Sequence, residues 1–182
     1  MDSSFLEAVK AIYEKGKEFA SKQYRQRFFE VAETPSYMKE LGLRGDKFTI
    51  SYAYGTISKH IGKDKAHRLS EDVWLRLPEA IVNPFAISEY YGDNSGNLKG
   101  YRIYTVIEFE NGFVVAGVDV KNMGKNLEVN SISTVFSKTG SITNKEKGIF
   151  RSKTINPQQA SLLERPNFSP YPSVRESDGK NK

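Results

Sequence analysis

His60 and His67 are the only histidines of the chain, and both fall in one basic stretch, Ser58-Lys59-His60-Ile61-Gly62-Lys63-Asp64-Lys65-Ala66-His67-Arg68. Imidazole has an unperturbed pKa close to neutrality, so it takes and returns a proton at physiological pH, and flanking cations favour phosphate as the bound group. A cation-lined proton-transfer site of this kind points to RNA. The plain alternative is a solvated charged run between two elements, the commoner fate of such stretches. A zinc site on the two histidines lacks a credible third ligand, because Asp64, Glu71 and Asp72 are accounted for by solvation and by a helix start. His67-Arg68 immediately precedes that helix, so His67 reads as a capping or solvated residue. The chemistry then rests on Lys59 and His60.

The composition narrows the classes of function. With no cysteine among 182 residues there is no disulfide framework, no thiolate metal site and no cysteine nucleophile. Gly112-x₄-Gly117 lacks the Lys-Ser/Thr and the following helix of a phosphate loop, which argues against a nucleotide-dependent enzyme. No cofactor and no metal are expected. The net charge is +5, and seven basic residues (Lys121, Lys125, Lys138, Lys145, Lys147, Arg151, Lys153) against Glu128 and Glu146 concentrate that excess between Lys121 and Lys153. Such asymmetry fits a polyanion-facing surface, and it fits solubility almost as well. The first residues lack a basic segment followed by an apolar core, and no apolar run approaches membrane-spanning length, so a soluble cytoplasmic protein without a membrane partner is expected.

Several elements must position these residues. Phe5, Val9, Ile12, Tyr13, Phe19, Ala20, Tyr24 and Phe28 recur at helical spacing, which predicts an amphipathic helix from about Ser4 to Val31, weakened at Gly16. Thr34-Pro35 and Gly42 bound a short second helix, and Lys47 to Tyr54 alternates as a first strand. Ser70 followed by Glu71 and Asp72 starts a helix carrying Val73, Trp74 and Leu77, with Pro78 to Val82 as a further turn before Asn83-Pro84. Tyr101 to Phe109 and Phe113 to Lys121 form a hairpin around Asn111-Gly112. Leu127 to Ser137 supplies a third antiparallel strand and Ile149 to Ile155 a fourth, and Asn156-Pro157 opens a last helix. Tyr90-Tyr91 beside Gly92 to Asn97 reads either as an aromatic patch for stacked bases or as core aromatics before a loop. The expectation is an α+β protein: N-terminal helices on a four-stranded antiparallel sheet, a short C-terminal helix and a disordered tail. Its divisions are a helical segment over 1–45, an α+β domain over 46–164 and a tail over 165–182.

Three pieces then fall in a telling order: the Lys59-His60 pair after a short strand, the segment Leu69-Ser70-Glu71-Asp72 through Leu77-Pro78 to Ile81 and Asn83-Pro84-Phe85, and the strand Val129-Asn130-Ser131-Ile132-Ser133-Thr134 after a hairpin. Over roughly Lys47 to Lys153 this resembles the C-terminal domain of phage MuF-type polyvalent proteins, a branch of the Barnase-EndoU-Colicin-RelE-like nuclease superfamily. The resemblance implies helices on a four-stranded antiparallel sheet and RNA cleaved without metal. By that logic the catalytic set is Lys59, His60, Ser133, Thr134 and Arg151, and a neutralising immunity or antitoxin protein is a further partner. The chain departs from the pattern in two ways. No glutamate stands where a barnase-type base is expected, and the histidine pair lacks EndoU spacing. The expected function is a metal-independent ribonuclease or toxin-like effector. The rival is a non-catalytic module that binds nucleic acid or protein.

Overall fold

The computed structural model describes residues 3–24, 28–51, 57, 69–91, 96–123, 127–139 and 146–163. The chain begins with helix α1 (Ser3–Gln23), which buries Phe5, Ala8, Val9, Ile12 and Ala20 and departs from helical geometry at Gly16. The expected continuation to Val31 does not occur, because Phe28–Glu33 is a strand, β1, with Phe29 and Val31 fully buried. Phe28, Phe29 and Val31 satisfy a helical spacing and a period of two equally well. What decides between them is pairing with β2 (Lys47–Ser51), which buries Phe48 and Ile50 on the same core. Helix α2 (Ser36–Glu40) lies between the two strands, and Tyr37 donates from its hydroxyl to the Val82 carbonyl at 3.0 Å.

Ser70 stands in extended conformation at the start of α3 (Glu71–Val82), with Glu71 and Asp72 in the first turn. The helix runs through Pro78 without a break and buries Val73, Trp74, Leu77 and Ile81. Four strands follow: β3 (Ala86–Tyr90), β4 (Gly100–Phe109), β5 (Gly112–Met123) and β6 (Leu127–Lys138). Strand β7 (Glu146–Arg151) and helix α4 (Pro157–Leu163) complete the described chain.

The four-stranded antiparallel sheet expected from sequence is corrected to a single seven-stranded sheet in the order β1-β2-β6-β5-β4-β3-β7. It is mixed, because β2 joins β6 in parallel while the other neighbours are antiparallel. The fourth expected strand, Ile149 to Ile155, is displaced: the strand runs Glu146–Arg151, overlaps the expectation only at Ile149, Phe150 and Arg151, and pairs with β3. One sheet face packs α1, α3, Ile103, Val114 and Ile132 in the larger core. The other carries a smaller core of Phe85, Tyr104, Phe113, Val115, Leu162 and Leu163 under α4.

The hairpin expectation holds with a one-residue shift. Phe109 pairs with Gly112, so the turn residues are Glu110 and Asn111, and the positive φ of 55° belongs to Glu110. Gly112 is needed for another reason: a Cβ there would run into the Lys138 carbonyl of β6.

Asn130, in the motif that carried the resemblance, is structural. Its fully buried amide donates to Thr34 Oγ1 (2.9 Å) and the Gly45 carbonyl (3.0 Å) and accepts from the Gly45 amide (3.3 Å). These bonds tie β6 to the chain that enters β2, so they help set the parallel β2–β6 register.

Candidate functional site

The sheet face that carries α4 continues beyond the smaller core to a second end. Across it run two neighbouring rows of residues. One is Gly148, Ser88, Arg102, Gly117 and Thr134 on β7, β3, β4, β5 and β6. The next begins Glu146, Tyr90 and Gly100, with Asp119 of β5 one step beyond the Tyr101–Val118 pair. Gly117 stands opposite Arg102 and Gly100 opposite Asp119, so each long side chain lies over a glycine.

Arg102 occupies the space above Gly117, where a Cβ would collide with its Nη1 and approach Thr134 Cγ2 to 2.6 Å. Its Cζ lies 3.9 Å from the centre of the Tyr90 ring. Guanidinium donors radiate in the plane of the group, so a guanidinium held between a ring and a glycine backbone offers its N–H edge to an anion. Among the described residues no carboxylate pairs with Arg102. Asp119 is half-buried, with Oδ1 folded to 3.0 Å from where a Gly100 Cβ would sit.

A two-residue bulge produces this arrangement. Counting back from Phe109–Gly112 without interruption would set Arg102 directly opposite Asp119; between Glu108 and Tyr104 the register shifts by two, so Arg102 meets Gly117 instead. Thr105 secures the bulge, donating to the Val114 carbonyl at 2.8 Å and accepting from the Ile107 amide at 3.3 Å. The shift removes a direct cross-strand ion pair and leaves a cation and a carboxylate side by side on one face.

Beneath this end lies a buried polar floor. Lys138, ending β6, forms an ion pair of 3.2 Å with Glu146, beginning β7, and its ammonium lies 5.7 Å from the Tyr104 ring centre. Lys138 is opposite Phe113 and Glu146 opposite Tyr90, on strands four places apart in the sheet, yet the two side chains meet. The hydroxyls of Tyr104 and Ser88 are buried and close to one another and to Glu146, without a hydrogen bond of full geometry. Burial first and the Glu146 carboxylate second hold the Tyr104 phenol far above its ordinary range, while Ser88 and Arg102 pull the other way.

Among the sequence-selected residues, Lys59, His60 and His67 lie outside the described residues. Ser133 is the extra residue of a bulge between Gly117 and Val118, exposed, and its hydroxyl donates to the Gly117 carbonyl at 3.3 Å. Thr134 faces Gly117 beside Arg102. Arg151 is exposed on the edge strand β7 in a different row, opposite Ala86, and among the described residues no hydrogen bond or ion pair joins it to Ser133 or Thr134. Thus Thr134 lies beside Arg102 over Gly117, Ser133 is bonded to the Gly117 carbonyl, and Arg151 stands in another row. Ile50 pairs with Ile132, and Ser51 is the last residue of β2.

The basic surface read between Lys121 and Lys153 is also divided. Lys138 turns inward to Glu146, whereas Lys147, Arg151 and Lys153 are exposed. Among the described residues no group of His, Asp or Glu is placed to hold a metal ion, and no described helix is long and apolar enough to cross a membrane. A cleft of about 350 Å³ between the β4–β5 turn and α4 is lined by Glu108, Glu110, Asn111, Gln158 and Ser161, a polar surface without a cation.

Arg102 went unselected in sequence because it alternates with Tyr101 and Ile103 as any outward strand residue does. The signal that marks it, a glycine on the paired strand, depends on a bulge invisible to periodicity. Comparison with known proteins returns no matching family, no matching curated protein and no matching solved structure.

Proposed function

We propose that this protein is a metal-independent endoribonuclease, an effector of the toxin type, with Arg102 as the cation that holds the scissile phosphate. One observation carries the reading: a guanidinium fixed between Tyr90 and Gly117, without a carboxylate partner among the described residues, lies beside the Thr134 side chain. RNA cleavage through the 2′-hydroxyl needs a base, an acid and donors for the phosphorane oxygens. Arg102 and the Thr134 hydroxyl supply donors, and Lys59-His60, on sequence grounds, supply proton transfer and further charge. Acid–base catalysis of this sort contributes about 10²–10⁴-fold, and donors preorganised on developing charge are frequently worth more than one proton transfer. The Ser133 hydroxyl, engaged with Gly117, holds the bulge that presents Thr134.

The test is cleavage of labelled single-stranded RNA in the presence of a chelator. Wild type cleaves; Arg102→Ala loses about 10²–10³-fold, the usual cost of deleting one preorganised donor. Gly117→Ala, which displaces the guanidinium, falls alongside it, and Arg151→Ala stays within a few-fold of wild type. His60→Ala loses most activity and His67→Ala little. RNA binding that weakens steeply with salt but leads to no cleavage under any condition would replace the enzyme with a binding module. Cleavage unchanged in Arg102→Ala would remove the assigned phosphate site.

A further inference from the structure

We infer that Asp119 is the general base of this site, an inference that rests on the ribonuclease reading. Several carboxylates fall on this sheet face among the described residues, and apart from Asp119 they are paired or distant; Glu30, in the same row as Asp119 on the far strand β1, is paired with Lys47. Glu146 is buried against Lys138, and Glu108 lies by the β4–β5 turn, across the smaller core. Asp119 remains: half-buried, in the row next to Arg102, and without an ion pair among the described residues.

The spacing suits one phosphodiester unit. Arg102 and Asp119 are diagonal cross-strand neighbours, about 7–8 Å apart at the backbone, a gap that long side chains reach into from both sides. A phosphate on the Arg102 edge places its neighbouring ribose toward Asp119. The glycines make room for this: Asp119 lies over Gly100 and Arg102 over Gly117, so no other side chain rises between them from those positions. Had the hairpin continued in uninterrupted register, the two would sit face to face and neutralise each other. The bulge at Thr105 holds them one step apart, each available to a substrate.

In the step proposed, the Asp119 carboxylate takes the proton of the ribose 2′-hydroxyl. The 2′-oxygen then attacks the adjacent phosphorus, forming the P–O2′ bond as the P–O5′ bond breaks. The leaving 5′-oxygen takes a proton from a general acid or from water, giving a 2′,3′-cyclic phosphate and a 5′-hydroxyl. No oxidant, reductant or metal enters the balance.

The experiment is the pH dependence of kcat/KM for RNA cleavage by wild type, Asp119→Asn and Asp119→Ala, with RNA affinity measured in parallel. Asp119→Asn keeps the shape and removes the base. Cleavage should fall about 10²–10⁴-fold, the acid limb of the pH profile should disappear, and RNA affinity should hold or rise as a negative charge leaves the phosphate's vicinity. Asp119→Ala should regain part of its activity when formate is added, which a purely structural role would not allow. Wild type that cleaves RNA while Asp119→Asn cleaves within a few-fold, with the acid limb intact, overturns the assignment and leaves the ribonuclease reading standing. Wild type that binds RNA without cleaving it overturns both.

Discussion

Removing the Asn130 amide should unfasten the parallel half of the sheet. Asn130 is fully buried and makes three well-formed hydrogen bonds, to Thr34 Oγ1, the Gly45 carbonyl and the Gly45 amide. Each such bond is worth about 1 kcal/mol net, and a buried group left without a partner costs about 1–3 kcal/mol, so Asn130→Ala should lose about 3–5 kcal/mol. Asn130→Asp should lose at least as much, because it keeps an acceptor for the Gly45 amide but turns a second oxygen toward the Gly45 carbonyl. The assay is urea unfolding followed by circular dichroism, supported by the melting temperature, which falls about 2–4 °C per kcal/mol in a domain of this size. A midpoint shift at constant m-value identifies a loss of native-state stability. A loss below about 1 kcal/mol would refute the reasoning, since it would mean that water replaces the amide or that the β2–β6 pairing does not depend on it.

Three other outcomes are expected. Tyr104→Phe removes a buried hydroxyl that lies near Glu146 and Ser88 without a hydrogen bond of full geometry, so stability should stay within about 1 kcal/mol, and a larger loss in chemical unfolding would show that one of them is its partner. Lys138 and Glu146 retain only 13% and 3% side-chain exposure, so Glu146→Ala should cost about 3–5 kcal/mol by stranding the ammonium, whereas Lys138→Met with Glu146→Leu should recover most of it; equal losses in the single and double variants would contradict that account. Burial pushes the Tyr37 phenol up to about 12 from its ordinary 10.0, so its contribution is fully present below pH 10 and is lost as pH rises toward 12. Stability measured from pH 9 to 12 should therefore fall less steeply in Tyr37→Phe, which also loses its bond to Val82 and so starts lower; an unchanged slope would count against a buried phenol there.

Local order was legible wherever short-range chemistry decides. The β4–β5 hairpin, the start of α3 at Ser70 and the final helix after Asn156 follow from alternation, a first-turn pair of carboxylates and an Asn-Pro step. Asn156 and Gln159 exchange hydrogen bonds at the start of α4, with the Gln159 amide donating to Asn156 Oδ1 at 2.8 Å. The site was legible only in part. Thr134 was selected for its hydroxyl on a late strand, but the cation beside it, Arg102, looked like any polar residue of an alternating strand.

By itself, the sequence determined the α+β class, the hairpin, the later strands and the absence of thiol chemistry, because periodicity, turn residues and composition act over a few residues at a time. Only the tertiary structure decided that Phe28–Glu33 is a strand, that β2 joins β6 in parallel and that β7 pairs with β3. It alone decided which cation stands beside Thr134. The physical reason is that strand partners are chosen by burial of whole faces and by register between distant segments. A two-residue bulge, stabilised by one threonine hydroxyl, moves Arg102 from Asp119 to Gly117 without altering any local pattern.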